Sequence, residues 1–461
     1  MILNPHLLLT HSLRENPWGD KAARIMAASL AAVAPSRVIN ANLARSGNLL
    51  KIMGNAINLG DYARVFLMGI GKASLAMTVS VGDLIYNELT EGSLLIKKGR
   101  HELPERFQSR IEIYTGSHPV PDEDSYQATG KILSQFSSLE ASDLVIVLIS
   151  GGGSALFSYP AKGISIVDLK KTSQALLACG ANIREINTIR KHLSFVKGGG
   201  LARLLQPARV FALILSDVMG DPVDMIASGL TAPDPTTYSD ALQIVNKYNL
   251  AEALPKAVLT HLDQGRQGAL PETPKPGDPL FQNVTNLILA GNRDALQAGA
   301  EQSQVEGLTA HILPEPLSGE AKKAGKNLAH QLLRLTRAEL PFPKPALLIA
   351  GGETTVSLKN VAKPGLGGRN LETALSALPF LDGIKNAALI TLATDGEDGV
   401  TDAAGAVVTG KSYQRCLHYG LDPEDQLRKH DSYPLFQTLD DLLLPGPTGT
   451  NVNDLCFLFA F

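Results

Sequence analysis

Residues 66–74 read "FLMGIGKAS". The apolar run 65–68 stops at Gly69-Ile70-Gly71-Lys72, and the stretch "SLAMTVSVGDLIYNEL" that follows reads as a helix. Strand, glycine turn and helix in that order form the layout of a phosphate-binding loop. Two familiar versions of that loop fail here. A dinucleotide fingerprint wants a third glycine at position 74, which holds Ser74. A P-loop wants Ser or Thr after its Gly-Lys and a glycine five residues before that Gly; these positions hold Ala73 and Phe66. What remains is a lysine, Lys72, on a glycine turn behind Gly71.

The same unit recurs along the chain. Apolar runs at 64–68, 93–96, 111–115, 143–149, 210–215, 287–290, 346–350, 388–393 and 455–460 read as strands, with helical patterns between them. Runs such as "LVIVLI" and "VFALIL" show no alternation, which fits central strands of a parallel sheet covered on both faces. The expected fold class is α/β, with two Rossmann-like domains whose mostly parallel sheets are sandwiched by helices. The segment 263–283, "DQGRQGALPETPKPGDPLFQN", is rich in Pro, Gly and charge and has no periodicity, so the expected domains are 1–270 and 284–461.

Composition narrows the function classes. The chain has 461 residues, 44% hydrophobic and 19% charged, with a formal net charge of −3. Nothing in that balance draws it to nucleic acid or to an acidic membrane. Cys179, Cys416 and Cys456 are few and far apart, as buried fillers are, rather than a disulfide framework or a thiolate metal site. The start "MILNPHLLLTHSLREN" has no basic lead, and no apolar run reaches the length of a membrane helix. A cytoplasmic setting, as a monomer or homodimer, is the expectation.

In open α/β sheets ligands bind outside the carboxyl ends of the strands, so the loops there carry the reading. Run 143–149 leads into Ser150, Gly151, Gly152, Gly153 and Ser154, whose backbone N–H groups can curl around an anion. Leu156 stands where a nucleophile elbow needs Gly. In "NIREINTIRKHLSFVKGGG", Ile186, Ile189, Leu193 and Val196 make an apolar stripe. Asn187, Arg190, Ser194 and Lys197 repeat its spacing one residue on, so one helix edge offers an amide, a hydroxyl and two cations. Asp217, Asp221 and Asp224 follow run 210–215, where acids can hold Mg²⁺ or simply cap turns. His118, in "GSHPVPDED", reads as structural. In the second half, Glu353 follows run 346–350, and Arg369 sits on the glycine turn "GLGGRN", free for a bidentate phosphate contact. Asp395, Glu397, Asp398 and Asp402 follow run 388–393. As an EF-hand this loop fails, because glycine is misplaced and Ala406 stands where Glu is required. Thr448, Thr450, Asn451, Asn453 and Asp454 precede the last strand. Cations together with metal-holding acids at strand ends are what phosphoryl transfer needs.

These segments resemble one family. "MGIGKAS", "HPVPD", "SGGGSAL", "NTIRKHLSFVKGG", "LSDVMGDPVDMIASGLTAPDPTT", "GGETTV", "GLGGRNLE", "ATDGEDGVTDAAGA" and "GPTGTNVNDL" occur in the order found in glycerate 2-kinases, whose C-terminal part is called the MOFRL domain. The resemblance implies MgATP-dependent phosphorylation of D-glycerate at the C2 hydroxyl, in a cleft between two α/β domains. It implies ATP and Mg²⁺ as cofactors and a small-molecule acid as substrate. It makes Lys72 and Arg369 the catalytic candidates. Gly71, Ser150, Gly151, Gly152, Gly153, Ser154, Asn187, Arg190, Lys197 and Asn451 are then substrate- or phosphate-binding, and Asp217, Glu353 and Asp395 metal-holding. Leu371 and Pro222 depart from the family's more usual residues. Members often bear the name hydroxypyruvate reductase, so an NAD(P)H enzyme using Lys97, Lys98 and Arg100 for a 2′-phosphate is the rival reading. A non-catalytic sugar-phosphate or nucleotide sensor is the third.

Overall fold

Every apolar run marked above lies in a strand. The computed structural model describes residues 4–99, 101–358, 361 and 363–461. The chain forms two compact units: a first, Val38–Leu289, and a second, Met1–Arg37 together with Ala290–Phe461. The change of unit falls beyond the expected 263–283 segment because Val284–Ala290 adds a strand to the first unit's sheet. Residues 1–37, read with the first domain, cluster instead with the second unit.

The first unit opens with a small antiparallel sheet of β1 (Leu43–Ser46), β2 (Leu49–Ile52) and β3 (Asn55–Asn58), which the apolar pattern did not reveal. Its main sheet contains β4 (Arg64–Ile70), β5 (Leu89–Lys97), β6 (Ile111–Gly116), β7 (Asp143–Ile149), β8 (Arg209–Leu215) and β9 (Val284–Ala290). Their order is β6-β5-β4-β7-β8-β9, and the pairings from β6 to β8 are parallel. This is the doubly wound order, in which the order of strands reverses between the first and fourth strands. Here those strands are β4 and β7, paired from Arg64↔Asp143 to Ile70↔Ile149. Every residue of β7 is buried, Asp143 included, and its carboxylate takes both Nε and Nη2 of Arg64 at 2.9 and 2.6 Å. One face of the sheet packs Met68, Ile70, Val145 and Val147 against Phe157 and Leu201. Each such fully buried side chain contributes about 1.5–3 kcal/mol. A second core joins Leu176, Ile186, Ile189, Tyr238 and Leu262 from the helices after β7 and β8.

The second unit's sheet contains β10 (Thr309–Ile312), β11 (Ala346–Gly352), β12 (Ala387–Ala393), β13 (Gly405–Thr409), β14 (Leu442–Leu443) and β15 (Asp454–Ala460), in the order β10-β11-β15-β12-β13-β14. Only the β10–β11 pair is parallel; the others are antiparallel. The expectation of a mostly parallel sheet therefore holds for the first unit and not for this one. A buried apolar run has the same composition whichever way it runs, and β15 enters between β11 and β12 in the opposite sense. That reversal has a consequence for chemistry. It sets Asp454, the first residue of β15, opposite Gly352 and Ala393 at the carboxyl ends of β11 and β12.

Cys416 and Cys456 are buried and Cys179 is half-buried, all three as free thiols. Among the described residues no single helix is long and apolar enough to cross a membrane.

Candidate active site

The first unit presents its loops where β4 and β7 end. Gly71 follows β4 with φ +115°, and a Cβ there would lie 2.4 Å from the Ser150 carbonyl oxygen. Glycine is therefore required both by backbone angle and by close approach. Three bonds lock the two loops. Ser150 N–H donates to Ile70 O at 2.9 Å, Lys72 N–H to Gly151 O at 2.9 Å, and Ala73 N–H to Ser150 Oγ at 3.0 Å. Ser150 thus joins the loops with its hydroxyl. The Gly152 N–H is also engaged, by the Asp217 carboxylate from the end of β8. Burial raises the Asp217 carboxyl above its usual range, against the opposing pull of that N–H and of Lys72. Gly152 lies between Lys72 and a residue read as structural, His118. A Cβ on it would sit 3.1 Å from His118 Cδ2 and 3.4 Å from Lys72 Cγ.

A second cluster starts at Ser154. Its hydroxyl meets Ser228 Oγ at 2.6 Å, and Ser228 donates to Asn187 Oδ1 at 3.0 Å. Ala227, Ser228 and Gly229 all have positive φ, of 48, 58 and 67°. Non-glycine residues hold such angles only where their surroundings over-determine them, and the Ser154–Ser228–Asn187 chain does so here. Lys197 Nζ reaches back to Ser154 O at 2.7 Å and Phe157 O at 3.0 Å. Burial, and then the neighbouring Arg190, push its ammonium down to about 7. Burial also lowers the Arg190 guanidinium. Both cations line a cavity of about 30 Å³ together with Ser154, Ser158 and Ser173.

The helical edge read from sequence is thereby corrected. The helix Ile183–His192 ends before Ser194 and Lys197. Ser194 bridges to Pro160 and bonds Tyr159 O, away from any ligand role. Lys197 joins the cluster through the turn beyond the helix. Asp224 pairs with the buried Lys191 at 3.2 Å, which also meets Asp234 at 3.3 Å. Asp221 stands on a turn with φ +54°. Lys98 is held by Asp122 and Asp124 at 2.8 and 2.5 Å, which leaves a 2′-phosphate competing with two carboxylates. Arg100 lies outside the described residues.

In the second unit Arg369 opens the helix Arg369–Ala377. Its Nε and Nη2 bond the two oxygens of Asp454 at 2.5 and 3.1 Å, and its Nη1 bonds Glu353 at 2.5 Å. These bonds engage three of the five guanidinium N–H donors. Burial alone would lower the Arg369 pKa, but Asp454 and then Glu353 raise it, so the charge is permanent. Asp398 accepts the N–H groups of Asn370 and Leu371 at 3.1 and 2.8 Å, so this acid caps the helix that carries Arg369. Asp395 Oδ1 accepts the Glu397 N–H at 3.2 Å, and Asn451 Oδ1 accepts the Asn453 N–H at 3.4 Å in the turn before β15. Among the described residues no three His, Cys, Asp or Glu side chains form a ready metal cage. A cavity of about 550 Å³ opens beside Arg369 and Glu353, with Glu372 and His430 in its wall. Glu372 closes the "GLGGRNLE" segment, where only Arg369 reads as functional, and His430 lies in no marked segment.

Comparison with known proteins gives matches along nearly the whole chain. A domain family of unknown function (DUF4147) matches residues 21–263, and the MOFRL family matches residues 346–454. The glycerate 2-kinase of Pyrococcus horikoshii is 38% identical over 432 residues, covering 94% of this chain and 95% of that protein. An Agrobacterium vitis protein with a provisional hydroxypyruvate reductase name is 40% identical over 438 residues, covering 95% and 94%. The crystal structure of a glycerate kinase from Thermotoga maritima superposes with a TM-score of 0.79 at 37% identity, covering 96% of this chain and 99% of that one.

Proposed function

This chain belongs to the glycerate 2-kinase family, and we propose on that premise that it transfers the γ-phosphoryl group of ATP to the C2 hydroxyl of D-glycerate. The products are 2-phosphoglycerate and ADP. The observation that carries the reading is Lys72 on the Gly71 turn, at the reversal point of a doubly wound sheet, beside the glycine loop after β7. Ligands bind at that point in such sheets.

Lys72 and Arg369 are the proposed catalytic residues. Phosphoryl transfer asks mainly for positioning and for cations on the transferring group, and a lysine without a P-loop Ser or Thr behind it supplies charge alone. The C2 oxygen bonds to Pγ while the bond from Pγ to the ADP oxygen breaks, and the hydroxyl proton leaves to a nearby base. Asp217 suits that task, because burial has already raised its proton affinity. Arg190 and Lys197 hold the substrate's carboxylate. Their cavity, about 30 Å³, also presents the hydroxyls of Ser154, Ser158 and Ser173, a donor set that suits a carboxylate. Ser154 lines that cavity, and Asn187 is tied to it through Ser228.

Mg²⁺ enters with the nucleotide in this reading. Mg²⁺ takes one or two protein carboxylates and otherwise phosphate and water, so single acids at strand ends fit it without a three-residue cage. Glu353 and Asp395 are the carboxylates proposed to hold it, with Asp217 left to the proton, and it would neutralise charge on the phosphate oxygens.

The test is incubation with D-glycerate and MgATP, coupled to enolase with no mutase present. Signal from enolase alone is the expected result. Signal that waits for a mutase would reassign the product, and absence of ADP would remove the kinase reading. Lys72→Ala and Arg369→Ala should each lower kcat by at least about a hundredfold, and near-normal turnover in either would refute its role.

A further inference from the structure

We infer that the large cavity of the second unit takes the nucleoside of ATP, and that Glu372 accepts a hydrogen bond from a ribose hydroxyl there; this rests on the kinase reading above. The cavity, about 550 Å³, lies within the range of small-molecule and cofactor sites, roughly 300–1,000 Å³. It is far too large for glycerate alone. Its walls are mainly apolar. Val400 and Leu358 stand 84% and 48% exposed at its rim, and apolar surface of this kind is stabilised when a flat heterocycle covers it.

Two of the polar groups in its wall, Arg369 and Glu372, come from a single helix. Arg369 opens the helix Arg369–Ala377 and lines the cavity edge. Glu372 follows three residues on, about 4.5 Å along the axis. The residue is 2% exposed. One oxygen, Oε2, meets His430 Nδ1 at 2.7 Å. The other, Oε1, is buried with no hydrogen-bond partner. The Lys322 ammonium approaches it only to 3.7 Å, beyond hydrogen-bond reach. A buried acceptor without a donor is costly and uncommon in native interiors. A sugar hydroxyl entering the cavity supplies the missing donor. With phosphates toward Arg369, the ribose comes next at Glu372, and the base lies against Val356, Leu358 and Val400.

The experiment compares ATP, 2′-deoxyATP and 3′-deoxyATP at saturating glycerate in the full-length protein, in Glu372→Gln and in Val400→Trp. Wild type should prefer ATP over at least one deoxy analogue by about tenfold or more in kcat/KM, the scale of a hydrogen bond to a charged group. Glu372→Gln should erase most of that preference whatever its absolute rate, so the ratio remains readable in a weakened variant. Val400→Trp changes a rim side chain that packs on little, and should raise KM for ATP by about tenfold with KM for glycerate unchanged. Equal ATP preference in wild type and Glu372→Gln, or wild-type KM for ATP in Val400→Trp, overturns the assignment while turnover with ATP persists. No turnover with ATP in wild type overturns instead the kinase reading beneath it.

Discussion

Lys197 faces two carbonyl oxygens and a guanidinium, and its pKa is depressed by burial first and by Arg190 second. A depressed value for a cation has a clear sign. The ammonium keeps its proton below about 7 and sheds it as pH rises through that value. Only the protonated form attracts a carboxylate. KM for glycerate is therefore expected to rise from pH 6 to pH 9, by about tenfold per pH unit at the steep part, while KM for ATP stays level. Lys197→Arg keeps its charge across that range and should flatten the profile; steady-state kinetics across pH read both. This residue type at this position was legible in the chain, and its environment was not. "SFVKGGG" displays a lysine after a helix, but only the fold reveals that Gly198 and Gly199, at φ 55 and 82°, turn that lysine inward. The same limit applied to Ser150, whose hydroxyl reads as a ligand donor and is spent joining two loops.

At the scale of elements, the helix Arg369–Ala377 shows how an acid can be assigned the wrong task. "TDGEDG" looks like a loop for a metal or a sugar, yet Asp398 caps a helix that begins far from it in sequence. No local pattern pairs the two, because the cap comes from a different strand end, whereas Ser165 and Asn182 cap their own helices and could be read from spacing. Burial, with Asp454 close by, lifts the Asp398 carboxyl to about 7. A carboxyl whose folded pKa exceeds its unfolded value makes the folded state the better proton binder. Its contribution is therefore largest at low pH and is lost as pH rises through about 7. Asp398→Ala should cost about 1–2 kcal/mol in denaturant unfolding, the value of a lost helix cap. It should also lower kcat by loosening the first turn, on which Arg369 sits. Intact stability together with wild-type kcat would remove Asp398 from both roles.

For the molecule as a whole, the alternation of apolar runs and glycine loops specified the α/β class, and strand direction in the second unit escaped it. So did the allegiance of the first residues. Their contacts are specific. The Trp18 ring stacks on Phe461 at 4.7 Å, and Arg24 grips Glu306 with two bonds of 2.7 Å. Ser12 bonds Asp441 through its N–H and hydroxyl at 2.9 and 2.8 Å, beside an Arg415–Asp441 pair at 2.8 Å. Gly299 is glycine because a Cβ there would lie 2.4 Å from Ser29 Oγ. The helix Gly19–Ala32 buries Ala22, Ala23, Ile25, Met26 and Leu30. Residues 290–461 produced alone would expose the surface which these side chains cover, and would leave Asp441 buried with Arg415 but without the Ser12 donors. We expect that fragment to be aggregated or molten. Residues 4–37 fused ahead of 290–461 through a flexible linker should restore a cooperative melt and resistance to proteolysis. The comparison separates cause from length, since the same linker carrying a scrambled 4–37 segment should not rescue. A fragment 290–461 that melts cooperatively by itself would mean that the N-terminal segment decorates the unit without completing its core.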